Sequence, residues 1–182
     1  QQQATAWHAW QASLEGVIDQ LAPLSNTSQL ILSLAEGSSR HAVAIAAPFL
    51  EAWTQLPLRL HTPNSFDVHL WMHAQLGDSF SSFFRHSALL VVSQSGKTAS
   101  VAHSLANLQQ QQVHFKDKVL VTNHPESMLA NDYFPATGTH HCVLPIGVGN
   151  ELAIAATKTF SGSLLALMLW GLSVGQQRQC LW

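Results

Sequence analysis

Charge is scarce in this chain. Lysine and arginine together number eight of 182 residues, aspartate and glutamate ten, so 10% of the sequence is charged against a typical share of ~25%. A net charge of −2 with so few cations leaves no basic stripe for a phosphate backbone, which argues against nucleic acid as a partner. Hydrophobic residues make up 47%, so the chain is not a charged disordered polymer. Cysteine is equally sparse. Cys142 and Cys180 are too few and too far apart for a disulfide framework or a thiolate zinc site, and two free thiols fit a reducing cytoplasm. Long apolar runs are missing as well: Leu164 to Val174 is broken by Gly171 and Ser173 and falls short of the ~20 residues of a membrane span. No basic segment followed by an apolar stretch opens the chain, which argues against a secretory signal. It begins at Gln1 and ends at Trp182, and reads as a piece of something longer.

What is present is an alternation of short apolar runs with helical periodicity. Residues 4–24 place Trp7, Trp10, Leu14, Val17, Ile18 and Leu21 at steps of three and four, an amphipathic helix closed by Pro23. Leu30–Ala35 reads as a strand covered on both faces, followed by a helix over about 40–53. Leu58–His61 is a second strand, stopped by Pro63-Asn64, and Phe66–Leu76 a second helix. Strands follow at Ala88–Val92, Val119–Val121 and Cys142–Leu144. A helix leads to the Gln109–Gln112 cluster, and Asn150 caps a last long helix reaching about Leu172. The pattern predicts an α/β fold with a parallel sheet and right-handed crossovers. The domain plan is a leading helix and turn over 1–27, one domain over 28–175 and a short tail over 176–182.

Two strand ends differ from ordinary connections. Strand one runs into Gly37-Ser38-Ser39 and strand three into Ser93-Gln94-Ser95-Gly96-Lys97-Thr98, each a small, hydroxyl-rich turn opening a helix. Ligands of open α/β sheets bind beyond the carboxyl ends of the strands, where strand order reverses. In a sheet of order 2-1-3-4-5 that point lies between strands one and three. A helix N-terminus offers unpaired N–H groups and partial positive charge, so a chain poor in Arg and Lys can hold a phosphate with backbone and hydroxyls. The alternative is that Ser and Thr merely cap two helices. Gly96-Lys97-Thr98 is not a P-loop, because that motif needs a glycine where Val91 stands. Gly37-Ser38-Ser39 lacks the further glycines of a dinucleotide fingerprint.

Other clusters carry less. His69 and His73 share a helical face, but no glutamate completes a metalloprotease motif, and no metal is expected. His140-His141-Cys142 enters a strand, where neighbours point to opposite faces. Glu151, Ala155 and Lys158 share a face of the last helix; Glu151 is either a base or a first-turn acid complementing the helix dipole. Six tryptophans and little charge suggest apolar surface that an oligomer would cover.

Ala35 to His41, Ser93 to Thr98, and Glu151 through Ala155-Ala156-Thr157-Lys158-Thr159-Phe160 together resemble the sugar isomerase (SIS) domain. The branch is that of the isomerase half of glutamine–fructose-6-phosphate aminotransferase and of glucosamine-6-phosphate deaminases, and the likeness extends over about 28–172. It implies a flavodoxin-like three-layer αβα sandwich with a five-stranded parallel sheet. It also implies a hexose 6-phosphate or amino-sugar 6-phosphate ligand, no cofactor, and a homodimer or higher oligomer away from membranes. Carried over, Ser93, Ser95 and Thr98 hold the phosphate with the Gln94 backbone beside them, Gly37, Ser38 and Ser39 lie against sugar or phosphate, and Ile154 sits by the sugar chain. Lys97 stands where many aminotransferases have Glu, which leaves deaminase-like and isomerase-like members open. Such enzymes carry two SIS domains, the second supplying the catalytic groups; this sequence resembles the first, so catalysis is expected to be weak, with Glu151 as its one candidate base. A non-catalytic sensor of sugar phosphates is the alternative function.

Overall fold

Five apolar segments, each four to six residues long, pair into one parallel sheet of order β2-β1-β3-β4-β5. The computed structural model describes residue 24 and residues 27–135, 141–149 and 157–181. The expected leading helix, apart from Leu24, lies outside these. The strands are β1 (Leu30–Ala35), β2 (Leu58–His61), β3 (Ser87–Val92), β4 (Asp117–Thr122) and β5 (His141–Pro145). Every residue of β1 and β3 is buried, as strands covered on both faces require, while the edge strands β2 and β5 are partly exposed.

Alternation along the strands divides the core in two. Ile31, Ala35, Ala88, Leu90, Val92, Val119 and Val121 face one cluster, built with helices α1 (Gly37–Thr54) and α6 (Thr157–Gln177). Leu32, Leu34, Leu89, Val91 and Leu120 face the other, with α2 (Pro63–Leu76), α3 (Asp78–Arg85), α4 (Ala99–Gln110) and α5 (Met128–Tyr133). Helices thus cover both faces of the sheet, the three-layer αβα arrangement read from the sequence. Trp170 of α6 is fully buried in the first cluster and Phe66 and Phe84 in the second.

Several boundaries differ from the sequence reading. Helix α2 begins at Pro63 rather than Phe66, because proline at a first helical position forfeits no helical hydrogen bond. Thr62 caps it: Ser65 N–H donates to Thr62 Oγ1 at 3.4 Å, and Thr62 N–H donates back to Ser65 Oγ at 3.0 Å. Past Leu76 the chain turns at Gly77 (φ +64°) into α3, a helix the periodicity did not disclose. The short α5 was also missed. The last helix is described over Thr157–Gln177, ending beyond Leu172; the expected cap Asn150, with Glu151 and Ile154, lies outside the described residues.

Helices α1 and α6 approach closely because α6 carries glycines where they meet. A Cβ on Gly171 would stand 2.5 Å from Leu50 Cδ2, and one on Gly175 would stand 2.4 Å from the Trp53 carbonyl oxygen. A leucine methyl can rotate aside, whereas a helix carbonyl moves only with its backbone. Gly175→Ala should therefore cost about 2 kcal/mol and Gly171→Ala clearly less, despite the gain in helix propensity at both. Urea denaturation of the two variants checks this, and an equal or reversed ranking would contradict the packing described.

Candidate functional site

The β1–β3 register sets the site. Ala35 pairs with Val92, so the turn that follows each strand starts at the same height on the carboxyl edge of the sheet. Helix α1 then leaves toward one face and α4 toward the other, with their N-terminal ends beside the gap between the strands. The two turns the sequence singled out are brought together: the Ser38 hydroxyl donates to Gln94 Oε1 at 3.3 Å. A second bond crosses the gap from the Ser100 hydroxyl, in the first turn of α4, to the Glu36 carboxylate.

The hydroxyls are not occupied as helix caps. Neither Glu36 before α1 nor Thr98 before α4 makes a side-chain cap bond to its helix. Thr98 Oγ1 instead shares a hydrogen bond of 2.9 Å with Ser93 Oγ. Ser95 Oγ accepts from the Lys97 N–H at 3.2 Å within the turn. The first-turn N–H groups of two helices therefore remain without side-chain caps at a shared concavity, an arrangement that favours an anion. Ser93 and Ser39 are buried, Ser38, Gln94 and Thr98 half-buried, and Ser95 and Gly37 exposed at the mouth. The buried Gln94 Nε2 has no hydrogen-bond partner among the described residues. Glu151 and Ile154 lie outside the described residues, so their place relative to these turns is not part of the site as built. Lys158 is exposed in the first turn of α6.

Residues at the end of β4, which sequence reasoning passed over, complete the frame. The Gln94 carbonyl accepts from the Asn123 N–H at 3.0 Å and from Thr122 Oγ1 at 3.4 Å. Ser127, buried just before α5, lies against the turn. The only signal available was that the apolar strand gives way to Thr122-Asn123, both hydrogen-bonding side chains, at a strand end. Gly96 is the close approach: it sits at φ +61°, and a Cβ there would lie 2.0 Å from Ser127 Oγ and 2.3 Å from Ser127 Cβ.

The histidine candidates separate. The His69 ring packs edge-on against His61 with centroids 4.5 Å apart, while the His73 ring lies 5.3 Å from Phe84. Among the described residues no group of three or more His, Cys, Asp or Glu is arranged to hold a metal. His140 lies outside the described residues; Cys142 and Val143 pack toward opposite cores, as strand alternation requires. His61, at the carboxyl end of β2, is held well below the ordinary imidazole range, at about 4, by burial first and then by His69 and the Arg59 guanidinium.

No family model matches the chain. It is 31% identical over 146 residues to the glutamine–fructose-6-phosphate aminotransferase of Chlamydia caviae, covering 80% of this chain and 21% of that one. In structure it matches the C-terminal domain of glucosamine-fructose-6-phosphate aminotransferase from Francisella tularensis, with a TM-score of 0.67 at 18% identity over 100% of this chain and 49% of that one. The chain is a relative of the SIS domains. A third match is the NanR protein of Vibrio vulnificus complexed with ManNAc-6P, with a TM-score of 0.56 at 17% identity over 92% of this chain and 55% of that one. At these structural identities the likeness is one of fold. The chain spans about a fifth of the length of the curated aminotransferases it matches.

Two outcomes test the site as described. Gly96→Ala should lose at least ~2 kcal/mol from combined positive-φ strain and overlap with Ser127, and adding Ser127→Gly should recover part of that loss in chemical denaturation. No recovery would mean that Ser127 is not the obstacle. For His61, the folded form resists protonation that the unfolded chain accepts from its ordinary value of 6.5 downward. Stability is therefore highest above pH 6.5 and falls as pH drops toward about 4, by on the order of 2 kcal/mol, then levels off for this group. His61→Phe should flatten the slope between these pH values relative to the parent, and an unchanged slope would assign the acid sensitivity elsewhere.

Proposed function

We propose that this chain binds a phosphorylated sugar, a hexose 6-phosphate or amino-sugar 6-phosphate, in the concavity between the turns after β1 and β3. The observation that carries the reading is the pair of helix N-termini without side-chain caps, flanked by Ser38, Ser39, Ser93, Ser95 and Thr98. A doubly charged phosphate gains most from several N–H groups and hydroxyls converging without full positive charges. The Vibrio protein, which carries a phosphorylated sugar on a similar fold, supports the choice of ligand.

The binding unit is the segment 28–175, and the chemistry it serves is that of a phosphosugar isomerase, deaminase or aminotransferase. In such reactions a base moves a proton between adjacent sugar carbons and must lie within ~3 Å of that proton. Of the two turns, only Glu36 supplies a carboxylate, and its oxygen accepts from Ser100. Catalytic groups thus come from Glu151 or from a second domain or subunit, and this chain alone binds sugar phosphate better than it converts it. Two well-separated free cysteines support a cytoplasmic location in this reading. Exposed Ile45 and Phe49 on α1 and Val68, Trp71 and Leu76 on α2 favour a homodimer or higher oligomer. A sensor that binds the same ligand and signals through a partner uses the same site without the base.

Glucose, fructose and glucosamine 6-phosphates should raise the melting temperature, while the corresponding free sugars should not. A ligand at 100 times its Kd stabilises by ~2.7 kcal/mol. Ser95→Asp, which sets a carboxylate at the mouth, should abolish the shift without unfolding the protein. Equal responses to glucose and glucose 6-phosphate, or normal binding by the Asp variant, would rule out these turns as the phosphate site.

A further inference from the structure

Asn123, the first residue after β4, makes three hydrogen bonds that serve two different loops. Its backbone N–H donates to the carbonyl of Gln94 in the β3 turn at 3.0 Å. Its side-chain amide faces the other way: Nδ2 donates to the Gly149 carbonyl at 2.7 Å, and Oδ1 accepts from the Val148 N–H at 3.2 Å. One planar amide thus holds both an acceptor and a donor of the loop that follows β5. That loop needs holding, since Gly147 and Gly149 both take positive φ (+67° and +69°) and a Cβ on Gly149 would meet nothing within 4 Å. On its far side the loop rests on α6. A Cβ on Gly162 would stand 2.3 Å from Ile146 Cγ2 and 2.7 Å from Val148 Cγ1, so helix and loop are in direct contact there. The β3 turn, Asn123, the 147–149 loop and the first turns of α6 form one continuous chain of contacts.

We propose that Asn123 is a positioning residue that couples occupancy of the β3 turn to the order of the 147–149 loop. This rests on the reading of the turn as a phosphate site. An anion held by the hydroxyls and N–H groups of the turn fixes its peptides, including the Gln94 carbonyl that anchors the Asn123 backbone. With its backbone fixed, the Asn123 amide keeps Val148 and Gly149 in place without a further loss of freedom. Coupling of this kind is reciprocal, because whatever orders the loop also favours the ligand-ready turn.

Amide hydrogen exchange followed by NMR tests the proposal, with glucose, fructose and glucosamine 6-phosphate each added in turn. In the unaltered chain, sugar phosphate should slow exchange of the Ser95–Lys97 amides and also that of Val148, the latter by about fivefold, the worth of one hydrogen bond of ~1 kcal/mol. In Asn123→Ala, the turn should still be protected by ligand while the ligand-dependent slowing at Val148 disappears. Asn123→Asp keeps an acceptor for Val148 but opposes the Gly149 carbonyl with a carboxylate. It should also lose most of the coupling, and it decides the matter if the Ala variant does not fold. Protection of the turn alone in the unaltered chain, or coupling that survives in the folded variant, overturns the role of Asn123 and leaves the phosphate reading standing. Protection of neither segment by any of the three ligands overturns both.

Discussion

The parallel pairing of β1 with β3 is the constraint from which the rest of the site follows. After β1 the chain crosses to β2 on one side, and after β3 it crosses to β4 on the other. Right-handed crossovers in opposite directions must pass over opposite faces of the sheet. Helix α1 accordingly packs into the cluster with Leu50 and Trp170, and α4 into the cluster with Phe66 and Leu105. Among the described residues neither crossover covers the carboxyl edge between β1 and β3, and two helix N-termini face one gap. The concavity is a consequence of topology, and any sequence adopting this strand order would have it.

What this sequence adds is a choice of how to fill the gap. With eight lysines and arginines in 182 residues, it lines the turns with serine, threonine and glutamine instead. Hydroxyls are small enough to let the backbone N–H groups reach a ligand and can donate or accept as required. Ser38 bonds Gln94 across the gap and Ser93 bonds Thr98 within the β3 turn, so the turns hold their shape through side chains rather than caps. Glu36 supplies a carboxylate near the start of α4, on Ser100, where helix polarity favours negative charge.

Much of this was legible in the residues. A continuous apolar run ending at glycine and serines located β1 to the residue, the stop at Pro63-Asn64 located β2, and the hydroxyl turns marked the strand ends that the sheet order brings together. Pro63 misled because it resembles a strand stop, and only the Thr62–Ser65 capping box shows it to be a helix start. Helix α3 was obscured because Gly77, at φ +64°, marks the break but not that a second helix follows. Asn123 is marked in the sequence only by its place at a strand end: its partners Gln94, Val148 and Gly149 come together through the β3–β4–β5 register, a tertiary fact with no local pattern.

The same register explains why glycines stand where the site is backed by neighbouring chain. Gly96 meets Ser127 from the segment after β4, and Gly162 of α6 meets Ile146 and Val148 from the segment after β5. Each is a place where chain leaving one strand is pressed against an element belonging to another. A site made of backbone N–H groups can be only as well defined as the peptides that carry them, and peptides in turns are held by few contacts of their own. Close packing at Gly96 and Gly162, with the Asn123 amide between them, transfers the rigidity of the sheet to the turns beyond it. Recognition that relies on partial charges therefore depends on tight backbone packing behind the turns, and a methyl group added at Gly162 would act on the site without touching it.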